Sequence, residues 1–94
     1  MNDTVSARQI KAARAILGWR RQDLASRAGM SPATVKVVET DEDALPALAP
    51  TRARLVKVLE AAGIRFLLGS APGVQLIPAE EGLRAEDLNA SNDD

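Results

Sequence analysis

Between Arg8 and Lys36 the chain sets seven basic side chains, Arg8, Lys11, Arg14, Arg20, Arg21, Arg27 and Lys36, against one acid, Asp23. Ammonium and guanidinium groups at that density are the chemistry of anion binding. Arg20 and Arg21 stand together ahead of a helical pattern, where two guanidiniums grip a phosphate by charge more than by fixed geometry. Lys11, Arg20 and Arg21 are therefore the first candidates for phosphate contacts. Arg52 and Arg54, at the expected start of a later helix, are weaker ones, because a positive helix terminus is a poor place for cations without an anion. Other chemistries find little support. The chain has no His, Cys or Tyr, no Gly-x-Ser-x-Gly and no phosphate-cradling glycine loop, so it is not expected to be an enzyme. Asp41, Glu42 and Asp43 are consecutive and cannot easily converge on one metal ion. They read as a solvated loop, and no metal or cofactor is expected.

These side chains need a scaffold, and Arg20–Glu39 supplies its centre. The stretch reads as two short helices joined by a turn at Gly29, where glycine accepts the positive φ that a sharp reversal uses. Leu24, Ala25, Ala28, Val35 and Val38 form the inward faces. Ser31 suits an N-cap and Pro32 the first helical position, where a missing N–H costs nothing. Ahead of this pair, Ala7–Leu17 reads as a helix. Ser6 and Gln9 have capping-box spacing, Gly18 is placed for a left-handed C-cap, and Ile10, Ala13 and Leu17 share a face. Trp19, between helices, is expected in the core.

Residues 40–50 break the pattern with two prolines. A fourth helix is then expected over 51–62, with Thr51 as N-cap, Leu55, Val58, Leu59 and Ala62 as its stripe, and Gly63 beyond it. Ile64–Leu68 and Val74–Ile77 switch to period two around a five-residue loop, the pattern of a β-hairpin. Alone it would be marginal in water. It must pack on the helices or pair with its copy in a second chain, and Phe66, Leu68, Val74 and Leu76 are the expected dimerisation residues. The expected organisation is a helical domain over 1–63, the hairpin over 64–78 and an acidic flexible tail over 79–94.

Charge follows the same division. Residues 1–78 carry eleven Lys/Arg against seven Asp/Glu, a net of +4, while 79–94 carry one against six, a net of −5. The overall charge of −1 thus conceals a basic domain with an acidic tail. Such a tail is expected to lie over the basic face and weaken non-specific anion binding. No apolar run approaches the ~20 residues of a membrane helix, and the first residues do not form a signal peptide. A soluble cytoplasmic protein with no small-molecule ligand is expected.

Gly18, Asp23, Leu24, Ala25, Ala28, Gly29, Ser31, Val35, Val38 and Glu39 carry a recognisable order: apolar-Gly, a polar pair, an acid, Leu-Ala, Ala-Gly, apolar, Ser, and a helix ending in apolar-Glu. The stretch ILGWRRQDLASRAGMSPATVKVVE resembles the phage-repressor and Cro-type (Xre-like) helix-turn-helix domains, over roughly residues 9–63. The strand pair after it is similar to one found in many small bacterial members. The resemblance implies a mainly α fold, a lambda-repressor-like bundle of four or five helices whose third helix enters the major groove of double-stranded DNA. It also implies an ion pair between Arg14 and Glu39. The chain departs from the pattern at Arg20 and Arg21, where the family usually has a capping Ser or Thr and a phosphate-binding Gln. Arginine cannot cap by accepting a hydrogen bond.

Under that resemblance Ser31 joins the phosphate contacts, and the base contacts fall to Ala33, Thr34 and Lys36. Lys36 can donate to guanine O6 or N7, and Ala33 and Thr34 can touch a thymine methyl. No Arg, Asn or Gln on this helix offers a bidentate base contact, worth about 1–3 kcal/mol each. One copy would discriminate poorly, so a homodimer reading half-sites ~34–36 Å apart is expected. The expected function is transcriptional regulation as a dimeric repressor. The competing expectation is a protein-interaction module, such as an antitoxin or anti-activator, that uses the same fold to bind a protein partner.

Overall fold

The computed structural model describes residues 4–78, and the expected acidic tail lies outside them. Its elements follow the order α1 (Ala7–Leu17), α2 (Arg21–Ala28), α3 (Pro32–Glu39), α4 (Ala49–Ala61), β1 (Ile64–Leu67) and β2 (Gly73–Leu76), with a short 3-10 turn at Pro46–Leu48 leading into α4. The fold is mainly helical with one small antiparallel hairpin. No described helix is long and apolar enough to cross a membrane.

Local signals set most boundaries. At α1 the Ser6 hydroxyl accepts the Gln9 N–H at 3.1 Å while Gln9 Oε1 accepts the Ser6 N–H at 2.9 Å, and Gly18 closes the helix at φ 72°. At α2 Arg20 holds the N-cap position without a side-chain acceptor. Asp23 supplies half of the missing box by accepting the Arg20 N–H at 2.8 Å. At α3 Ser31 caps Thr34 N–H at 3.2 Å.

Two boundaries differ from expectation. Helix α4 begins at Ala49 rather than after Thr51, and no side chain caps it. Pro46 and Pro50 do not interrupt the chain. Each occupies a first-turn position, of the 3-10 segment and of α4, where no N–H is needed. The strands are 64–67 and 73–76, so Leu68 belongs to the loop and Gly73 to the ladder.

The core is aliphatic and continuous. Ile10 and Ala13 of α1, Leu24, Ala25 and Ala28 of α2, Val35 and Val38 of α3, Leu55 and Leu59 of α4, and Ile64 of β1 form one buried cluster. Leu17, Trp19, Met30, Val58, Phe66 and Val74 pack around it. At about 1.5–3 kcal/mol for a fully buried large aliphatic side chain, this cluster is the main stabilising term.

The hairpin joins that core and is not a separate layer. Its register pairs Ile64 with Leu76 and Phe66 with Val74, which puts these four side chains on one face. Ile64 is buried, and Phe66 and Val74 lean on the helices. A polar clamp completes the docking. The buried Gln9 side chain donates from Nε2 to the Leu67 carbonyl at 2.7 Å and to the Gly73 carbonyl at 3.0 Å, the last pair of the ladder. One amide therefore caps α1 with its oxygen and holds the hairpin with its nitrogen. Gln9→Ala is expected to cost about 1–3 kcal/mol, the penalty for stranding buried polar groups. The loss should appear in a urea titration, together with faster amide exchange in β1 and β2 than in α3.

Candidate nucleic-acid interface

The outer face of α3 is set by what its inner face holds. Val35, Val38 and Glu39 are buried, which leaves Pro32, Ala33, Lys36 and Val37 exposed. Val37 keeps half of its surface in solvent. Thr40 ends the helix by folding its hydroxyl back onto the Lys36 and Val37 carbonyls at 2.9 and 3.1 Å.

Glu39 fixes the orientation of this face. Its carboxylate is fully shielded, yet it lies at the C-terminal end of α3, where the helix dipole disfavours negative charge. Two guanidiniums offset that cost. Arg14 binds it through Nε to Oε2 at 2.7 Å and Nη2 to Oε1 at 3.1 Å, and Arg21 donates from Nε to Oε1 at 3.0 Å. Arg14 also donates to the Trp19 carbonyl at 3.0 Å. One carboxylate thus ties α3 to α1 and to the first residue of α2. The ion pair implied by the family resemblance is present, and Arg21 is a second partner that the sequence did not reveal.

The expected phosphate-binding side chains fall into three groups. Lys11, Arg20 and Ser31 are exposed. Arg20 makes only a 3.8 Å contact with Asp23, and its side chain is largely free, whereas the Ser31 hydroxyl is engaged with Thr34. Arg21 and Arg54 are shared between the scaffold and the surface. Arg21 spends its Nε on Glu39. Arg54 donates from Nε to the Ala28 carbonyl at 2.7 Å. Arg54 therefore sits at the C-terminal end of α2, beside the turn at Gly29, where a cation is favoured by the helix dipole. Because α4 starts at Ala49, Arg54 is its sixth residue and lies beyond the first turn, where the expected conflict with a positive helix terminus would arise. Gly29 itself has φ 71°, a conformation that any residue with a Cβ adopts at a cost.

Arg52 forms the third group and is a correction. It is buried and pairs with Asp41, Nη1 to Oδ2 at 3.3 Å. With its side chain only 9% exposed, it does not reach a phosphate. Asp41 is correspondingly not a solvated loop acid, since its side chain is only 5% exposed and also accepts the Leu45 N–H at 3.0 Å. The acidic triplet is divided: Asp41 turns inward, Glu42 meets Arg8 at 3.6 Å near the surface, and Asp43 is exposed.

Thr34 is also more constrained than expected. It is half-buried, its hydroxyl lies 2.9 Å from that of Ser31, and it lines a shallow depression with Gly29, Met30 and Arg54. Ala33 and Lys36 remain on the outer face, joined there by Val37. The expected dimerisation residues separate as well. Phe66 and Val74 support the hairpin from within, while Leu68 and Leu76 are 45% and 46% exposed. The hold of Gln9 on the hairpin, the pairing of Asp41 with Arg52 and the place of Arg27, whose guanidinium lies 4.3 Å from the centre of the Trp19 ring, were not expected.

No protein-family model matches this chain, and no curated protein or solved structure matches it either.

Proposed function

We propose that this chain is a sequence-specific double-stranded DNA-binding regulator of transcription, acting as a dimeric repressor of helix-turn-helix type related to the Xre-like proteins. One observation carries the reading. The exposed face of α3 presents Ala33, Lys36 and Val37 on a helix whose opposite face is locked by Val35, Val38 and the Glu39 ion pairs. A small, apolar and basic face can enter a major groove and read methyl groups and guanine edges. Lys11 and Arg20 are exposed cations available for phosphates, and Arg21 and Arg54 keep one end of each guanidinium for the scaffold. Leu68 and Leu76, together with an open two-stranded ladder, support association of two copies.

Base readout and phosphate grip should separate on mutation. Arg20→Ala should weaken binding to every duplex by a similar factor and make the slope of log K against log salt shallower by about 0.9, the loss of one phosphate contact. Lys36→Ala should reduce the preference for the best sequence selected from a random pool, with a smaller effect on random duplex. Equal effects of the two variants on selected and random DNA would remove the role given to α3.

A second reading, a protein-interaction module of the antitoxin or anti-activator kind, draws on the half-exposed Val37 together with Leu68 and Leu76. Under that reading neither variant changes a salt-dependent DNA affinity, because none exists.

A further inference from the structure

Beside the last described residue the surface holds a groove that the DNA reading does not use. Trp19, Arg27, Val58, Ala61 and Ala62 line a shallow depression of about 390 Å³ between the α1–α2 junction and the C-terminal turn of α4. Its floor is apolar. Its one charged wall is Arg27, which lies over the Trp19 ring.

The chain leaves the fold next to this groove. Ile77 N–H donates to the Gly63 carbonyl at 2.8 Å, and Gly63 directly follows Ala62 of the groove wall. A Cβ on Gly63 would stand 3.3 Å from the Ile77 carbonyl and 3.4 Å from Leu76 Cδ1, so strand and helix end are in close contact there. Leu76, which packs against Gly63, is itself nearly half exposed. After Pro78 come sixteen residues beginning AEEGLRAEDL, with Glu80 and Glu81 two and three positions on and Leu83 five. Five residues of extended chain reach about 16–18 Å, ample for a wall only one residue from the Gly63 contact.

We propose that this groove is the docking site of the chain's own acidic segment, residues 79–94, with Leu83 seated on Trp19, Val58 and Ala62, and Glu80 and Glu81 beside Arg27. The signs and types fit: the two acids suit the cationic wall and the leucine suits the apolar floor. An intramolecular segment needs little intrinsic affinity, because a short tether holds it at millimolar effective concentration. The proposal does not depend on the DNA reading. It assigns the −5 segment a site on α2 and α4 and does not place it across the exposed face of α3.

Trp19 is the chain's sole tryptophan, so its emission reports on the groove directly. The full-length chain is compared with full-length Leu83→Asp and with the double variant Glu80→Lys, Glu81→Lys, by acrylamide quenching across a range of protein concentrations. Circular dichroism checks that the helices persist. The expected result is a red-shifted emission and a larger quenching constant in both variants, with wild-type protection independent of concentration. Identical emission and quenching in all three proteins would overturn the proposal. Protection that grows with protein concentration would also overturn it, because the occupant would then be a second copy.

Discussion

Glu39→Ala is expected to destabilise the chain by about 3–5 kcal/mol, the range for breaking a buried ion pair from one side. The effect is large because the substitution strands more than it removes. Arg14, only 17% exposed, would keep its charge with two of its donors unmatched. Arg21 would lose a partner as well, but its side chain is 37% exposed and water can replace the carboxylate. Arg21→Ala should therefore cost under about 1 kcal/mol. Urea unfolding monitored by circular dichroism gives both values, and an unchanged denaturant slope would assign them to the folded state. A Glu39→Ala cost below that of Arg21→Ala would mean that the shared carboxylate does not hold the three helices together. The consequence for binding runs the other way. Losing an acid raises the net charge of the domain, so affinity for DNA must be compared at temperatures where each variant is folded.

Arg52→Ala is expected to have a comparable effect on stability and none on DNA. Asp41 would be left as a buried carboxylate with only the Leu45 N–H to hold it, again at a cost of about 3–5 kcal/mol. If the pair acts as a unit, the double variant Arg52→Met, Asp41→Asn should lose much less than the two single variants added together. The slope of DNA affinity against salt should match that of the unaltered chain, because the Arg52 side chain is only 9% exposed and held in its pair with Asp41. A shallower slope in the folded Arg52 variant would restore the residue to the phosphate contacts and contradict the buried pair.

Four arginines show what a sequence reading can and cannot deliver. Arg20, Arg21, Arg52 and Arg54 look alike as letters, yet one is free, two are shared with the scaffold and one is buried. Their difference lies in partners that the fold brings together, Glu39 at eighteen residues from Arg21 and Asp41 at eleven from Arg52. Local signals fared better. The ends of α1 follow from Ser6, Gln9 and Gly18, all of which act within a few residues, and the α2–α3 turn follows from Gly29 and Ser31 in the same way. The start of α4 was misplaced because proline marks both the end of one element and the first turn of another, and Pro46 and Pro50 do the second. The hairpin was legible as a period-two pattern but shifted by one residue, since apolar Leu68 continued the alternation that the ladder does not. Its docking was out of reach. Nothing near Gln9 in sequence announces carbonyls 58 and 64 residues away.

The thinness of the proposed base-reading surface is legible in the sequence, because it depends on which side chains α3 carries and not on how they pack. Adding Val37 to Ala33 and Lys36 gives that face another apolar contact and no bidentate donor. Affinity would thus be mainly electrostatic, and the central claim is tested most directly by one measurement, the binding constant for duplex DNA across salt concentrations. With about four cationic contacts per copy, Lys11, Arg20, Arg21 and Arg54, log K should fall with log salt at a slope of about −3 to −4 for one copy and about twice that for a dimer. Duplex binding that is absent at low salt, or present with no salt dependence, would contradict the account.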